Sequence, residues 1–294
     1  MRVARFGHEL IDICKEENIS ISEYAIRLEM ERAESSREEV IERMRTNLEV
    51  MREAANEGRE QEVYSVTGLI GGDAYRLQKY LESGKSLTGN VMIQAMAMAL
   101  SSSEVNASMG RIVACPTAGS CGILPSVVLT AAEKLEKNDD EIIEALFAAS
   151  GVGMIIGMNA TLSGAEGGCQ AECGSGAAMS SAAVVEMMGG TPEMCLHAGA
   201  IVMKNILGLV CDPVAGLVEI PCAKRNAAGA ISALCTADMV MAGVESKIPF
   251  DDTVLAMYKI GKSLPSALRE TGLGGVAATP SGLVLKKKVF PEDM

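Results

Sequence analysis

Three cysteines in this chain lie in loops whose neighbouring residues suit metal chemistry. Cys169 follows two glycines, and Cys211 and Cys222 bracket a segment that contains Pro and Gly. Thiolates bind iron and zinc, and such loops let backbone amides approach the sulfurs of a cluster. The spacing, however, matches neither a compact ferredoxin motif nor the paired Cys-x-x-Cys of structural zinc. Spacing alone therefore favours buried packing thiols over metal ligands at these positions.

The other six cysteines are of three kinds. Cys173 lies four residues after Cys169, so on a helix the two thiols would share a face and could bind zinc or iron, although a core thiol is the simpler interpretation. Cys115 and Cys121 flank a polar loop and stay ambiguous between packing and function. The remaining three are expected to pack in apolar helices: Cys14, Cys195 and Cys235.

That polar loop carries hydroxyl groups and glycine shortly before a predicted helix. Its central residues are Thr117, Gly119 and Ser120. Hydroxyls and free amides at the start of a helix can bind an anion such as a carboxylate. The same residue types also form ordinary helix caps, so the pattern leaves an anion site and a cap as alternatives.

Other common catalytic arrangements find little support in the sequence. The two histidines are His8, near the N-terminus, and His197, inside an apolar helical pattern, so a Ser–His–Asp triad or a His-ligated zinc is disfavoured. We find no P-loop and no Rossmann fingerprint. Pyridoxal phosphate chemistry would need a sheet-rich fold with a glycine-rich phosphate loop, and the pattern shows neither.

The composition favours closely packed helices. Of 294 residues, 48% are hydrophobic, and they are mainly small or aliphatic residues with 19 Met and no Trp. Sheets favour aromatic and β-branched residues, and no segment shows a convincing alternation of period two. We therefore predict an all-α protein with a helical N-terminal segment over residues 1–59 and a single large helical domain over residues 60–294.

Local signals predict several helix boundaries. The sequence from Ser36 to Glu39 is a capping-box pattern, and Thr191-Pro192-Glu193 is typical of a helix start. Gly58 predicts the end of one helix, and Asp73 predicts the cap of another. A further helix is expected over residues 170–188.

Charge and hydropathy indicate the environment. The net charge of −12 disfavours non-specific binding to nucleic acid. Nine cysteines without the apolar core of a signal peptide predict a cytoplasmic protein whose thiols stay reduced. The uncharged run from Ala145 to Ala165 is rich in Gly and contains Asn and Ser, so we expect a buried core helix and no membrane span.

Several motifs together resemble the α chain of iron–sulfur-dependent L-serine dehydratases. The matching stretches are residues 103–111, 116–125, 163–172 and 211–226. The resemblance implies a helical catalytic domain over residues 60–294 and a [4Fe–4S] cluster held by Cys169, Cys211 and Cys222, with one iron that has no protein ligand. It also implies a separate β chain as partner, because no segment here looks like the β part.

The resemblance implies that L-serine loses water and then yields pyruvate and ammonia. An open iron would act as a Lewis acid on the hydroxyl, and we expect Thr117, Gly119 and Ser120 to contact the substrate carboxylate. The general base is not assigned to a residue, and the β chain is a candidate source because neither histidine is well placed. Two alternatives are a lyase that removes sulfur from cysteine on the same cluster and a non-catalytic cluster-binding or redox-sensing subunit. Lys224 and Arg225 are candidates for offsetting the negative charge of the cluster.

Overall fold

The computed structural model describes residues 2–291, in which thirteen α-helices and no strand are found. The prediction of an all-α fold is confirmed. The helices are α1 (Gly7–Glu17), α2 (Ile21–Ala33), α3 (Arg37–Glu60), α4 (Asp73–Glu82), α5 (Asn90–Ala107), α6 (Ile123–Leu135), α7 (Asp139–Asn159), α8 (Gly164–Gly167), α9 (Ser175–Met187), α10 (Pro192–Ile206), α11 (Cys222–Met241), α12 (Phe250–Ser263) and α13 (Pro280–Val289).

Helix α9 lies at the centre of the molecule. It packs against α6, α7, α10 and α11, and its residues from Ser175 to Val185 are all buried. Its sequence is mostly Ala, Ser and Gly, and such short side chains let neighbouring helices approach closely. The expected helix over residues 170–188 is therefore present, but its first turn, Gln170–Gly174, is a π-helix.

Helix α7 contains most of the uncharged run. It is long and apolar enough to cross a membrane, yet 67% of its apolar 18-residue segment is buried inside the protein. It packs against α2 on one side and α9 on another. A core helix in such a position needs apolar residues around most of its circumference, which accounts for the composition.

The N-terminal helices share the core of the rest of the chain. Leu10, Ile21 and Leu48 belong to the same cluster of buried residues as the side chains of α7 and α9. Glu186 on α9 accepts hydrogen bonds from Ile21 N at 2.9 Å and Ser22 N at 3.0 Å, so it caps α2 from outside the segment. The domain boundary at residues 59 and 60 stays a prediction.

Two of the predicted helix starts are confirmed. Ser36 and Glu39 form a reciprocal capping box with distances of 2.9 and 3.2 Å. Thr191 Oγ1 accepts a hydrogen bond from Met194 N at 3.4 Å at the start of α10. Both signals are local, because the residues that form each cap are three positions apart.

Two other boundary predictions are wrong, because distant residues decide them. Helix α3 continues through Gly58, whose amide donates to Ser101 Oγ at 2.8 Å, and an added Cβ would lie only 3.0 Å from that oxygen. This glycine therefore lets α3 pack against α5. Asp73 is the first residue of α4 and follows the cap residue Gly72.

Glu104, on α5, completes the start of α4. Its Oε1 accepts hydrogen bonds from Asp73 N at 2.7 Å and Ala74 N at 3.4 Å, and its side chain is fully buried. Its second oxygen, Oε2, has no hydrogen-bond partner. Burial raises the pKa of Glu104 to about 7, and the two amides lower it only in part. A carboxyl group in this place favours its neutral form.

Replacing Glu104 with Gln tests this arrangement through the pH dependence of stability. Folding favours the protonated carboxyl, so wild-type stability falls as the pH rises from 4.5 through about 7. Gln keeps an acceptor for the α4 amides and cannot ionise. We expect the free energy of unfolding of Glu104→Gln, relative to the wild type, to rise by up to about 3 kcal/mol between about pH 4.5 and about pH 8. Urea unfolding across this range measures the difference.

Glu57→Gln is a suitable control, since Glu57 lies on the exposed side of α3. This variant should follow the wild-type pH dependence. If Glu104→Gln also followed it, ionisation of Glu104 would not be a cause of the loss of stability at high pH.

Candidate active site

Four segments that are distant in the sequence meet in space at one site. They cover residues 116–122, 163–174, 209–222 and 268–276. The hydrogen bonds that join them are Gln170 N to Leu209 O at 3.0 Å, Cys211 N to Leu268 O at 2.9 Å and Thr117 Oγ1 to Glu172 Oε1 at 2.8 Å. These contacts bring together the cysteine loops and the Thr117 loop.

The three cysteines from the sequence analysis are all buried near this junction. Cys169 precedes the π-helical turn, Cys211 lies in an extended segment, and Cys222 begins α11. Burial raises the pKa of Cys222 to about 12, and the negative charge of Cys169 adds to the rise. Burial and the charges of Cys169 and Cys222 likewise raise the pKa of Cys211. The three thiols thus lie close enough to influence one another electrostatically.

The thiol donors beside this junction suit a bound cluster, although they do not form a ready metal site. Across residues 2–291, no three His, Cys, Asp or Glu side chains are arranged to hold a metal ion. Gly164 faces the site: an added Cβ would lie 3.0 Å from Cys211 Sγ and 2.6 Å from Glu172 Oε2. The absence of a side chain here leaves a narrow cradle beside the Cys211 sulfur and the Glu172 carboxylate. Three thiol donors and this cradle fit an iron–sulfur cluster, and the assignment of its ligands stays a prediction.

The thiol of Cys173 lies in direct contact with the thiol of Cys169. Its Sγ is 3.3 Å from Cys169 Sγ, and both thiols are buried. The hydrogen bond from Cys173 lowers the pKa of Cys169, and the nearby guanidinium of Arg225 lowers it further. The same hydrogen bond and burial raise the pKa of Cys173. Cys169 is therefore the member of the pair that ionises more readily.

Of the two basic residues beside Cys222, Arg225 points to the site. Its Nη1 donates to Val210 O at 2.8 Å, and its Nη2 forms an ion pair with Asp212 Oδ1 at 2.9 Å. Lys224 instead forms an ion pair with Asp73 and remains largely exposed. The charge of Arg225 can thus offset negative charge on the sulfurs, while Lys224 links α11 to α4.

The structure places Thr117, Gly119 and Ser120 around Glu172. Thr117 Oγ1 donates to Glu172 Oε1 and lies 3.1 Å from Ser120 Oγ. An added Cβ on Gly119 would lie 3.2 Å from Glu172 Oε1. The Thr117 hydroxyl thus already binds a carboxylate of the protein, and Ser120 bonds Thr117. Contact with a substrate carboxylate stays a prediction.

Asn226 ties this loop to the helix that carries Cys222. Its Nδ2 donates to Gly119 O at 2.8 Å and to Cys222 O at 3.0 Å, and its Oδ1 accepts from Gly122 N at 2.9 Å. A buried amide that satisfies three backbone groups holds both segments in one arrangement. The loop and the start of α11 are therefore coupled.

The sequence analysis gave no role to Glu172, although it lies inside one of the quoted motifs. Burial raises its pKa, the nearby charge of Glu270 adds to the rise, and hydrogen bonds from Thr117 and the Gly164 backbone oppose it. The available signal was an acidic residue within a run of small residues and cysteines. Its importance depends on Thr117, which is distant in the sequence and could not be paired with it from spacing.

Comparisons with known proteins agree with the motifs. A family model described as "Serine dehydratase alpha chain" matches residues 16–277. The "Probable L-serine dehydratase, alpha chain" of Bacillus subtilis is 53% identical over 96% of this chain and 94% of the relative. The "L-serine dehydratase, alpha chain" of Peptoniphilus asaccharolyticus is 46% identical over 97% of this chain and 98% of the relative. "L-serine dehydratase 1" of Escherichia coli is 35% identical over 92% of this chain but only 60% of the relative. The resemblance is thereby confirmed, and the chain belongs to the serine dehydratase alpha chain family.

Proposed function

We propose that this chain, paired with a β chain in the cytoplasm, converts L-serine to pyruvate and ammonia with a [4Fe–4S] cluster. The names of the relatives support the substrate and the partner. The observation that supports the proposal is that Cys169, Cys211 and Cys222 are all buried in the segments that converge at this site, where their charges affect one another's pKa values.

Cys169, Cys211 and Cys222 would hold the cluster. When bound, it supplies a Lewis-acidic iron without a protein ligand, which can accept the hydroxyl oxygen of serine. Gly164 keeps the position beside Cys211 free of a side chain. Arg225 places positive charge near Cys169 and so favours its thiolate form.

Thr117, Gly119 and Ser120 are the proposed contacts for the serine carboxylate. Because Thr117 Oγ1 donates to Glu172, binding would require Thr117 to exchange that hydrogen bond for one to the substrate. Glu172 and the Asn226 bridge keep the loop in place before the substrate arrives. Such preorganisation lowers the cost of orienting the bound substrate. The base that removes the Cα proton stays unassigned to either chain.

Iron content and turnover, measured after purification without oxygen, test the proposal. The protein should contain iron and sulfide in equal amounts and should release pyruvate from L-serine only with the β chain added. Release of sulfide from L-cysteine without turnover of serine would instead favour a desulfidase. A loaded cluster with turnover of neither amino acid would favour the non-catalytic subunit.

Cys211→Ser should abolish cluster binding. A hydroxyl group replaces a thiolate ligand poorly, and the remaining two sulfurs cannot hold the cluster. We expect iron per chain to fall by about tenfold or more. Cys235 is exposed, so the expectation that it packs in the core is wrong. Cys235→Ser is therefore the matched control, and its iron content should equal that of the wild type. Unchanged iron in Cys211→Ser would remove Cys211 from the ligand set.

Gly164→Ala should lower iron content without unfolding the protein. The new methyl group would lie 3.0 Å from Cys211 Sγ and 2.6 Å from Glu172 Oε2, and would fill the space beside the sulfurs. Gly157→Ala is the control, because its methyl group would meet Leu162 at an ordinary 3.4 Å. Iron analysis and thermal unfolding of both variants distinguish an effect on cluster binding from a loss of protein stability. Full iron occupancy in Gly164→Ala would place the bound group elsewhere.

A further inference from the structure

Cys173 has no part in the proposed function, yet its thiol is held against a proposed ligand. Its Sγ lies 3.3 Å from Cys169 Sγ, and the side chains are 1% and 3% exposed. Two sulfurs in a disulfide are about 2.0 Å apart, so these need to approach by only about 1.3 Å. The pair is therefore almost in bonding position in the reduced protein.

The backbone holds this pair by a specific set of contacts. Cys169 directly precedes the π-helical turn Gln170–Gly174, and Cys173 lies within it. The buried Gln170 side chain donates to Gly167 O at 2.9 Å and to Met257 O at 3.0 Å, and it accepts from Gly208 N at 2.9 Å. These bonds attach the turn to α12 and to the end of α10, so the turn keeps its shape independently of any bound group.

We propose that Cys169 and Cys173 form a disulfide when the cluster is absent and a peroxide is present, and that this bond blocks reassembly of the cluster. The inference rests on the proposed function only in taking Cys169 as a ligand. A sulfur that is bonded to a second sulfur cannot act as a thiolate ligand. The chain would then wait in an oxidised, metal-free state until a thiol reductant restores it.

The chemistry balances with hydrogen peroxide as the oxidant. The Cys169 thiol attacks one peroxide oxygen, the O–O bond breaks, and a sulfenic acid and one water form. Cys173 sulfur then attacks the Cys169 sulfur, the S–O bond breaks, and a second water leaves with the Cys173 proton. Two thiols lose two electrons in total, and one peroxide gains them.

The position of Glu172 between the two cysteines gives a direct assay. Metal-free, reduced protein is treated with an equimolar amount of hydrogen peroxide, unfolded, alkylated with N-ethylmaleimide and cleaved after glutamate. Cleavage after Glu166, Glu172 and Glu186 places Cys169 and Cys173 on separate fragments. We expect mass spectrometry to find these two fragments joined and unalkylated, and to find them separate after reduction.

Reassembly supplies a second readout. Iron uptake from ferrous iron and sulfide should fall by about tenfold in the peroxide-treated wild type and recover with dithiothreitol. In Cys173→Ala, which keeps all three proposed ligands, the joined fragments should be absent. Cys235→Ala, which lacks only an exposed thiol, should oxidise as the wild type does.

Three results would each overturn a claim. If Cys169 and Cys173 were both alkylated after peroxide treatment, the disulfide proposal would be wrong, whatever the iron content. If the fully reduced wild type took up no iron, the proposed function would fail, while the joined fragments would still report on the thiol pair. Joined fragments together with undiminished iron uptake would show that the bond forms but does not block assembly, which also contradicts the proposal.

Discussion

The arrangement of the site depends on how one partly buried cation, Arg225, offsets the negative charge of several buried acidic groups. Burial raises the pKa values of Cys211 and Glu172, and the charges of Cys169 and Glu172 add to the rise at Cys211, as the charge of Glu270 does at Glu172. Arg225 opposes this effect at Cys169, where its positive charge lowers the pKa. The guanidinium is itself held by Val210 and by an ion pair with Asp212. Buried charges are tolerated only with such partners, so the loop from residue 209 to 222 folds around this contact.

Close packing of small residues makes this crowding possible. Helix α9 is rich in Ala and Ser and is surrounded by four other helices, so the loops that leave these helices converge. At the loops themselves glycine has the same effect, as Gly164 shows beside Cys211. The scaffold and the site therefore depend on one property of the sequence, the absence of bulky side chains where backbones approach. The scarcity of aromatic residues is consistent with this property.

Local features of the structure could be predicted from the sequence, and features that depend on distant contacts could not. The Ser36 cap was predicted because its partner is three residues away. The end of a helix at Gly58 was predicted wrongly because Ser101, on another helix, determines the role of that glycine. Glu172 was missed for the same reason, since its hydrogen bond from Thr117 joins residues that are distant in the sequence. The motifs identified the family and, through the resemblance, supplied the predicted cluster ligands, which spacing alone does not encode.

The bridge made by Asn226 has a consequence for substrate selection. One side chain binds the backbone of the Thr117 loop at Gly119 and Gly122 and the backbone of Cys222. If the loop binds the carboxylate of an amino acid and the cysteine side binds its hydroxyl, this amide fixes the distance between the two subsites. An amino acid whose hydroxyl lies one carbon farther from the carboxylate than in serine would not span that distance in the same way. Discrimination by hydroxyl position would then come from backbone geometry.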